Sequence, residues 1–89
     1  MARMVVTHGV VDVEKWLSFK AERAEAIAAL GGRNALDLAA QDGSKAVAIV
    51  ADVDDPDAMV AALASPPAEV GATMAKHGVV QPMTIYIER

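Results

Sequence analysis

Residues 45–53, Lys45-Ala46-Val47-Ala48-Ile49-Val50-Ala51-Asp52-Val53, form a nearly unbroken apolar run of strand length. Successive side chains of a strand point to opposite sides. From Ala46 through Ala51 both sides are therefore apolar. A second run, Arg3 to Val11, carries Met4-Val5-Val6-Thr7-His8-Gly9-Val10-Val11, and Val5 with Val6 again makes both sides apolar. Two further segments alternate instead. Asn34 to Gln41 sets Leu36 and Leu38 against Asp37, and Pro82 to Glu88 sets Met83, Ile85 and Ile87 against Thr84, Tyr86 and Glu88. Strands apolar on both sides belong in the middle of a sheet, and alternating strands at its edges.

The segments between the strands carry helix signals. Asp12 caps a helix with Glu14 in its first turn, and Gly31-Gly32 ends it. Val13, Trp16, Leu17, Ala21, Ala24, Ile27 and Ala28 share one face at helical spacing. Asp42-Gly43-Ser44 is turn chemistry, so strands two and three form a hairpin. Asp55 caps a second helix with Pro56 at its first position, and Met59, Val60 and Leu63 make its apolar stripe. Ser65-Pro66-Pro67 breaks that helix and starts a short one, on which Val70, Met74 and His77 share a face before Gly78 stops it. The element order is β-α-β-β-α-(α)-β, with no linker or low-complexity segment between residues 1 and 89.

Right-handed crossovers place four antiparallel strands in the order 4-1-3-2, with the helices on one face. Strands one and three then lie in the centre, as their two-sided apolarity demands. One layer of helices hides only one face of such a sheet. Something else must cover the other, most economically the sheet of a second copy.

The bulk properties narrow the function classes. A net charge of −4, with eight scattered Lys and Arg, argues against nucleic acid as a partner. The chain has no cysteine, so disulfides, thiolate zinc sites and cysteine nucleophiles are excluded. No apolar run reaches the roughly 18 residues of a membrane-spanning helix. Residues Met1 to Thr7 read as strand rather than signal peptide, and the expectation is a cytoplasmic protein. A chain of 89 residues that is 54% hydrophobic carries more apolar surface than a small core conceals, which again points to self-association.

Three stretches carry a resemblance: Asp12-Val13-Glu14-Lys15-Trp16, the segment from Asp54-Asp55-Pro56-Asp57 to Leu63-Ala64-Ser65-Pro66, and His77-Gly78-Val79-Val80-Gln81-Pro82. With them the chain resembles the dimeric α+β barrel superfamily, in which two ferredoxin-like sheets pack face to face. That group includes cofactor-free antibiotic-biosynthesis monooxygenases, polyketide cyclases and muconolactone isomerases. The resemblance implies an α+β, ferredoxin-like βαββα(α)β domain over residues 1–89 and a homodimer joined through its sheet faces. It also implies a pocket for a small hydrophobic or aromatic ligand, and no cofactor. Lys20 departs from the pattern, because a large apolar residue often stands there in that group.

Six residues are candidates for the pocket. His8 lies mid-strand among Met4, Val6 and Val10, and reads either as a histidine satisfied within the core or as a proton shuttle. His77 sits at a helix C-terminus, where a cation complements the dipole, and shares a face with Val70 and Met74. Trp16, the sole tryptophan, is a core residue or a flat wall for a ring. Lys20 falls near the middle of the first helix's apolar stripe. Either its stem covers the core edge with the ammonium in water, or it reaches the cleft and binds an anionic or enolate-like group. Arg23 either pairs with glutamates at the surface or reinforces that positive potential. Tyr86 can offer a hydroxyl from an edge strand.

Under the resemblance, His8 or His77 is the base, Lys20 the electrostatic stabiliser and Trp16 the wall. A non-catalytic ligand-binding or accessory protein is the competing reading. Two histidines without a third ligand at recognisable spacing do not make a zinc site. The aspartates at 52, 54, 55 and 57 lack the glycine and late glutamate of a calcium loop.

Overall fold

The computed structural model describes residues 2–89. Its elements are β1 (Ala2–Val10), α1 (Val13–Ser18), α2 (Lys20–Ala29), β2 (Gly32–Ala39), β3 (Ala46–Val53), α3 (Pro56–Ala64), α4 (Ala68–Lys76) and β4 (Val79–Ile87). The four strands form one antiparallel sheet in the order β2-β3-β1-β4, the α+β arrangement expected from the two-sided strands. Val5 pairs across with Val50 on one side and Tyr86 on the other, and Val50 continues to Leu36.

The even-numbered residues of β1 face the helices. Met4, Val6, His8 and Val10 are all buried there. Met4 and Val6 pack with Val53 of β3 and Met59 of α3, while Val10 packs with Val47 and Trp16 of α1. Each such side chain, fully buried, contributes about 1.5–3 kcal/mol. The opposite sheet face carries no helix. Leu36, Leu38, Val80 and Tyr86 lie exposed on it. The accessible surface, 5360 Å², is slightly above the roughly 5,000 Å² expected of a closed monomer of this mass.

The capping residues act as the sequence indicates. The Asp12 carboxylate accepts from the Lys15 backbone N–H at 3.2 Å, and Asp55 accepts from that of Ala58 at 3.1 Å. Gly31 (φ 92°) ends α2 and Gly78 (φ 75°) follows α4, both in the left-handed region that glycine adopts without Cβ strain.

Three expectations are corrected. The first helix is not continuous but breaks at Phe19 (φ −97°, ψ 18°). The Trp16 carbonyl accepts Nη2–H of Arg23 at 2.9 Å and the Phe19 N–H at 3.2 Å. A side chain inserted into the backbone ladder, with a tighter i→i+3 bond beside it, is enough to kink a helix. The break rephases the helix: Arg23 is buried, while Ala21, Ala24 and Ala28 are exposed. The second strand runs Gly32–Ala39 rather than from Asn34 to Gln41, with Asn34 (φ 56°) at a register shift between Arg33 and Leu36. The last strand begins at Val79, not Pro82. A register shift opposite Thr7–Gly9 accommodates Pro82, which an edge strand tolerates.

Candidate functional site

Arg23 organises the space between helices and sheet. Only 5% exposed, it donates from Nε to Asp37 Oδ1 at 3.2 Å and from Nη2 to Asp37 Oδ2 at 2.9 Å. The Asp37 side chain is 4% exposed, so this is a buried, forked ion pair. Nη2 also holds the Trp16 carbonyl, Nη1 donates to His77 Nδ1 at 3.2 Å, and the guanidinium carbon lies 3.9 Å from the Trp16 ring centroid. A buried charge needs both a partner and satisfied hydrogen bonds, and here four contacts supply them.

The two imidazoles are held in opposite tautomers. A guanidinium can only donate, so His77 Nδ1 is the acceptor and the neutral ring carries its proton on Nε2. A carbonyl can only accept, so His8 Nδ1, 2.7 Å from the Gly9 oxygen, carries the proton and leaves the lone pair on Nε2. Burial lowers the His8 pKa, with Arg23 adding to the effect against the Gly9 hydrogen bond. Burial and then the Arg23 charge lower that of His77, against the attraction of Glu22. Both rings are neutral at pH 7 as a result.

A cavity of about 80 Å³ lies under α4 and α2, lined by apolar side chains such as Met4, Ile27, Leu63 and Met74. His8, Trp16, Arg23 and His77 also contribute to its wall. Trp16 Nε1 and His77 Nε2 are, among the described residues, the buried side-chain nitrogens without a hydrogen-bond partner. Glu22 Oε1 stands 3.7 Å from His77 Nε2, too far for a hydrogen bond. The residues around the cavity therefore carry two buried, unpartnered N–H groups, one imidazole lone pair and one compensated cation in an apolar setting.

At its outer rim Phe19 stacks on His77, with centroids 4.5 Å apart and planes 8° from parallel. Lys76 reaches both Glu22 oxygens at 3.3 and 3.1 Å. These contacts hold the C-terminus of α4 against the α1–α2 break. Elsewhere α4 is loosely held, with no residue among those described that is fully buried.

Four of the six sequence candidates, His8, Trp16, Arg23 and His77, meet at this cavity. Two do not. Lys20 is exposed, because the break at Phe19 turns Phe19 inward and Lys20 to solvent. Tyr86 is 57% exposed on the helix-free face, across the sheet from the cavity. Arg23 is also not the surface partner of glutamates, since Asp37 takes its charge. Asp37 and Phe19 belong to the site but escaped the sequence reading. The signal for Asp37 was its place between Leu36 and Leu38, yet the leucines face outward and the carboxylate inward. Among the described residues, no cluster of three or more His, Asp or Glu could hold a metal ion, and no helix is long and apolar enough to cross a membrane.

Comparison with known proteins gives a fold but no sequence family. Neither a protein-family model nor a curated protein sequence matches the chain. Solved structures do. SnoaB, a cofactor-independent oxygenase from Streptomyces nogalater, is similar with a TM-score of 0.67 and 22% identity, over 99% of this chain and 92% of that one. A crystal structure of an antibiotic biosynthesis monooxygenase is similar at 0.64 and 13%, over 100% and 97%. A dimeric ferredoxin-like protein from an uncultured marine organism is similar at 0.60 and 8%, over 100% and 93%. The chain thus has a ferredoxin-like α+β fold.

Proposed function

We propose that this chain is a homodimeric small-molecule-binding protein of the cofactor-independent oxygenase, isomerase or cyclase type, acting on an enolisable aromatic or polyketide-like ketone. The carrying observation is the pair of buried imidazoles locked in opposite tautomers at one cavity. His8 Nε2 removes a proton from carbon next to a carbonyl. The N–H groups of His77 and Trp16 receive the oxyanion that forms, an arrangement worth most where water is excluded. In the oxygenase variant the substrate supplies all the electrons: a methylene and O₂ become a carbonyl and water. The similarity to SnoaB and to the antibiotic biosynthesis monooxygenase supports the reading at the level of fold.

The cavity, about 80 Å³, is smaller than the roughly 150 Å³ that accommodates benzene. A ring-bearing ligand thus requires a wall to move, and the loosely held α4 is the wall that yields. The second copy covers the helix-free sheet face, where Leu36, Leu38, Val80 and Tyr86 stand exposed.

The test is proton exchange at the α-methylene of 2-tetralone in D₂O, followed by NMR, with oxygen uptake measured in parallel. Wild type is expected to exceed His8→Gln by about 100-fold or more. Equal rates in the two proteins overturn the base assignment. Quenching of the single tryptophan by the same ketone without any exchange favours the non-catalytic, ligand-binding reading.

A further inference from the structure

Asp37 does not itself line the cavity, yet the tautomer that matters there depends on it. Its two carboxylate oxygens hold the Nε–H and one Nη2–H of Arg23, which fixes the guanidinium plane. In that plane Nη1 points at His77 Nδ1, and Nη2 also meets the Trp16 carbonyl. A donor at Nδ1 forces the neutral imidazole to carry its proton on Nε2, the nitrogen left unpartnered in the buried site. Asp37 also neutralises the cation, so that a charge can remain buried beside a neutral histidine.

We infer that Asp37 is a positioning residue, acting through Arg23 to hold His77 as an Nε2–H donor and so to select ligands that present a hydrogen-bond acceptor, such as a carbonyl or enolate oxygen. The selectivity rests on the site proposed above; the proton placement does not. The relay is specific in geometry. Phe19 stacked on the His77 ring limits its rotation, Glu22 lies beyond hydrogen-bonding reach of Nε2, and Lys76 is engaged with Glu22. Among these contacts the Arg23 hydrogen bond to Nδ1 fixes which nitrogen is protonated, and the Glu22 charge 3.7 Å from Nε2 favours the same tautomer.

The experiment is long-range ¹H–¹⁵N correlation of the two histidine rings at pH 7, in wild type, Asp37→Asn and Asp37→Glu. Wild-type His77 is expected as a single tautomer protonated at Nε2, and His8 as one protonated at Nδ1. In Asp37→Asn, His77 becomes a mixture of tautomers while His8, held by the Gly9 carbonyl, is unchanged. Asp37→Glu restores most of the single form. A wild-type His77 protonated at Nδ1, or a D37N protein whose His77 stays locked, overturns the inference. Should D37N fail to fold, the double variant Arg23→Met, Asp37→Leu tests the same relay, because it leaves no donor at His77 Nδ1 and no buried charge unpaired. An unchanged His77 tautomer there is equally fatal. The readout is a proton position, so absence of turnover with 2-tetralone sinks the proposed reaction and leaves this relay standing.

Discussion

The guanidinium of Arg23 lies over the Trp16 ring at 3.9 Å while its Nη2 holds the Trp16 carbonyl at 2.9 Å, so one side chain both lines the site and kinks the helix that carries it. The kink and the site have a common origin.

The energetic counterpart concerns the buried Arg23–Asp37 pair. Removing one partner leaves an uncompensated buried charge, which typically costs about 3–5 kcal/mol. Arg23→Met is expected to destabilise by that amount in urea unfolding. The double variant Arg23→Met, Asp37→Leu removes both charges and should recover more than half of the loss. A single-variant cost below about 1 kcal/mol is the signature of a solvated pair and contradicts the burial described here.

The histidines give stability a pH dependence of definite sign. Both have native pKa values below the ordinary value near 6.5, His8 and His77 alike chiefly through burial. His77 faces Arg23 and Glu22 from α2 and Lys76 from α4, and His8 faces Trp16 and Arg23. Below about pH 6.5 the unfolded chain binds protons that the fold refuses, so stability falls as pH drops, until the native pKa values are reached. Each ring contributes at most about 1.4 kcal/mol per pH unit in that window and nothing above it. Glu22, whose pKa is lowered mainly by its Lys76 hydrogen bond, acts in the same direction at lower pH and is screened by salt. Urea midpoints from pH 7.5 to 5 should decline for wild type and flatten in the doubly substituted His8→Gln, His77→Gln protein. Equal slopes in both would remove the histidines from the account.

Lys20 supplies a negative test. It is exposed, and the cavity wall does not include it. Lys20→Met is expected to change stability by less than about 0.5 kcal/mol. It should leave tryptophan quenching by 2-tetralone at the wild-type affinity. A weakened response would return the lysine to the site and call the break at Phe19 into question.

The contrast between Lys20 and the strands shows what the sequence can disclose. Strand order was legible because Val5–Val6 and Ala46–Ala51 are apolar on both sides, a property each segment carries alone. The caps at Asp12 and Asp55 are equally local. The break at Phe19 is not, since it depends on which carbonyl a guanidinium one helical turn further on will reach. Asp37 was hidden by symmetry: a period of two says that Leu36 and Leu38 oppose it, never which side faces the helices. The inward side was settled by Arg23, a tertiary partner 14 residues away.

The helix-free sheet face yields the last prediction. Leu36 and Leu38, 60% and 50% exposed, sit on the edge strand β2 beside Val50 and Ala48 of β3. Neither contributes to the core, so Leu36→Lys with Leu38→Lys should leave the monomer fold intact, edge strands being tolerant of lysine. In a face-to-face dimer the same change buries four ammonium groups, two from each copy, against apolar side chains. The dimer dissociation constant is then expected to rise at least about 100-fold, equivalent to about 2.7 kcal/mol. Sedimentation should show wild type at twice the 9.3 kDa chain mass and the double variant at the single mass, with unchanged circular dichroism. A wild-type protein that sediments at the single mass leaves Leu36, Leu38, Val80 and Tyr86 bare in water, and the paired-sheet assembly must then be abandoned.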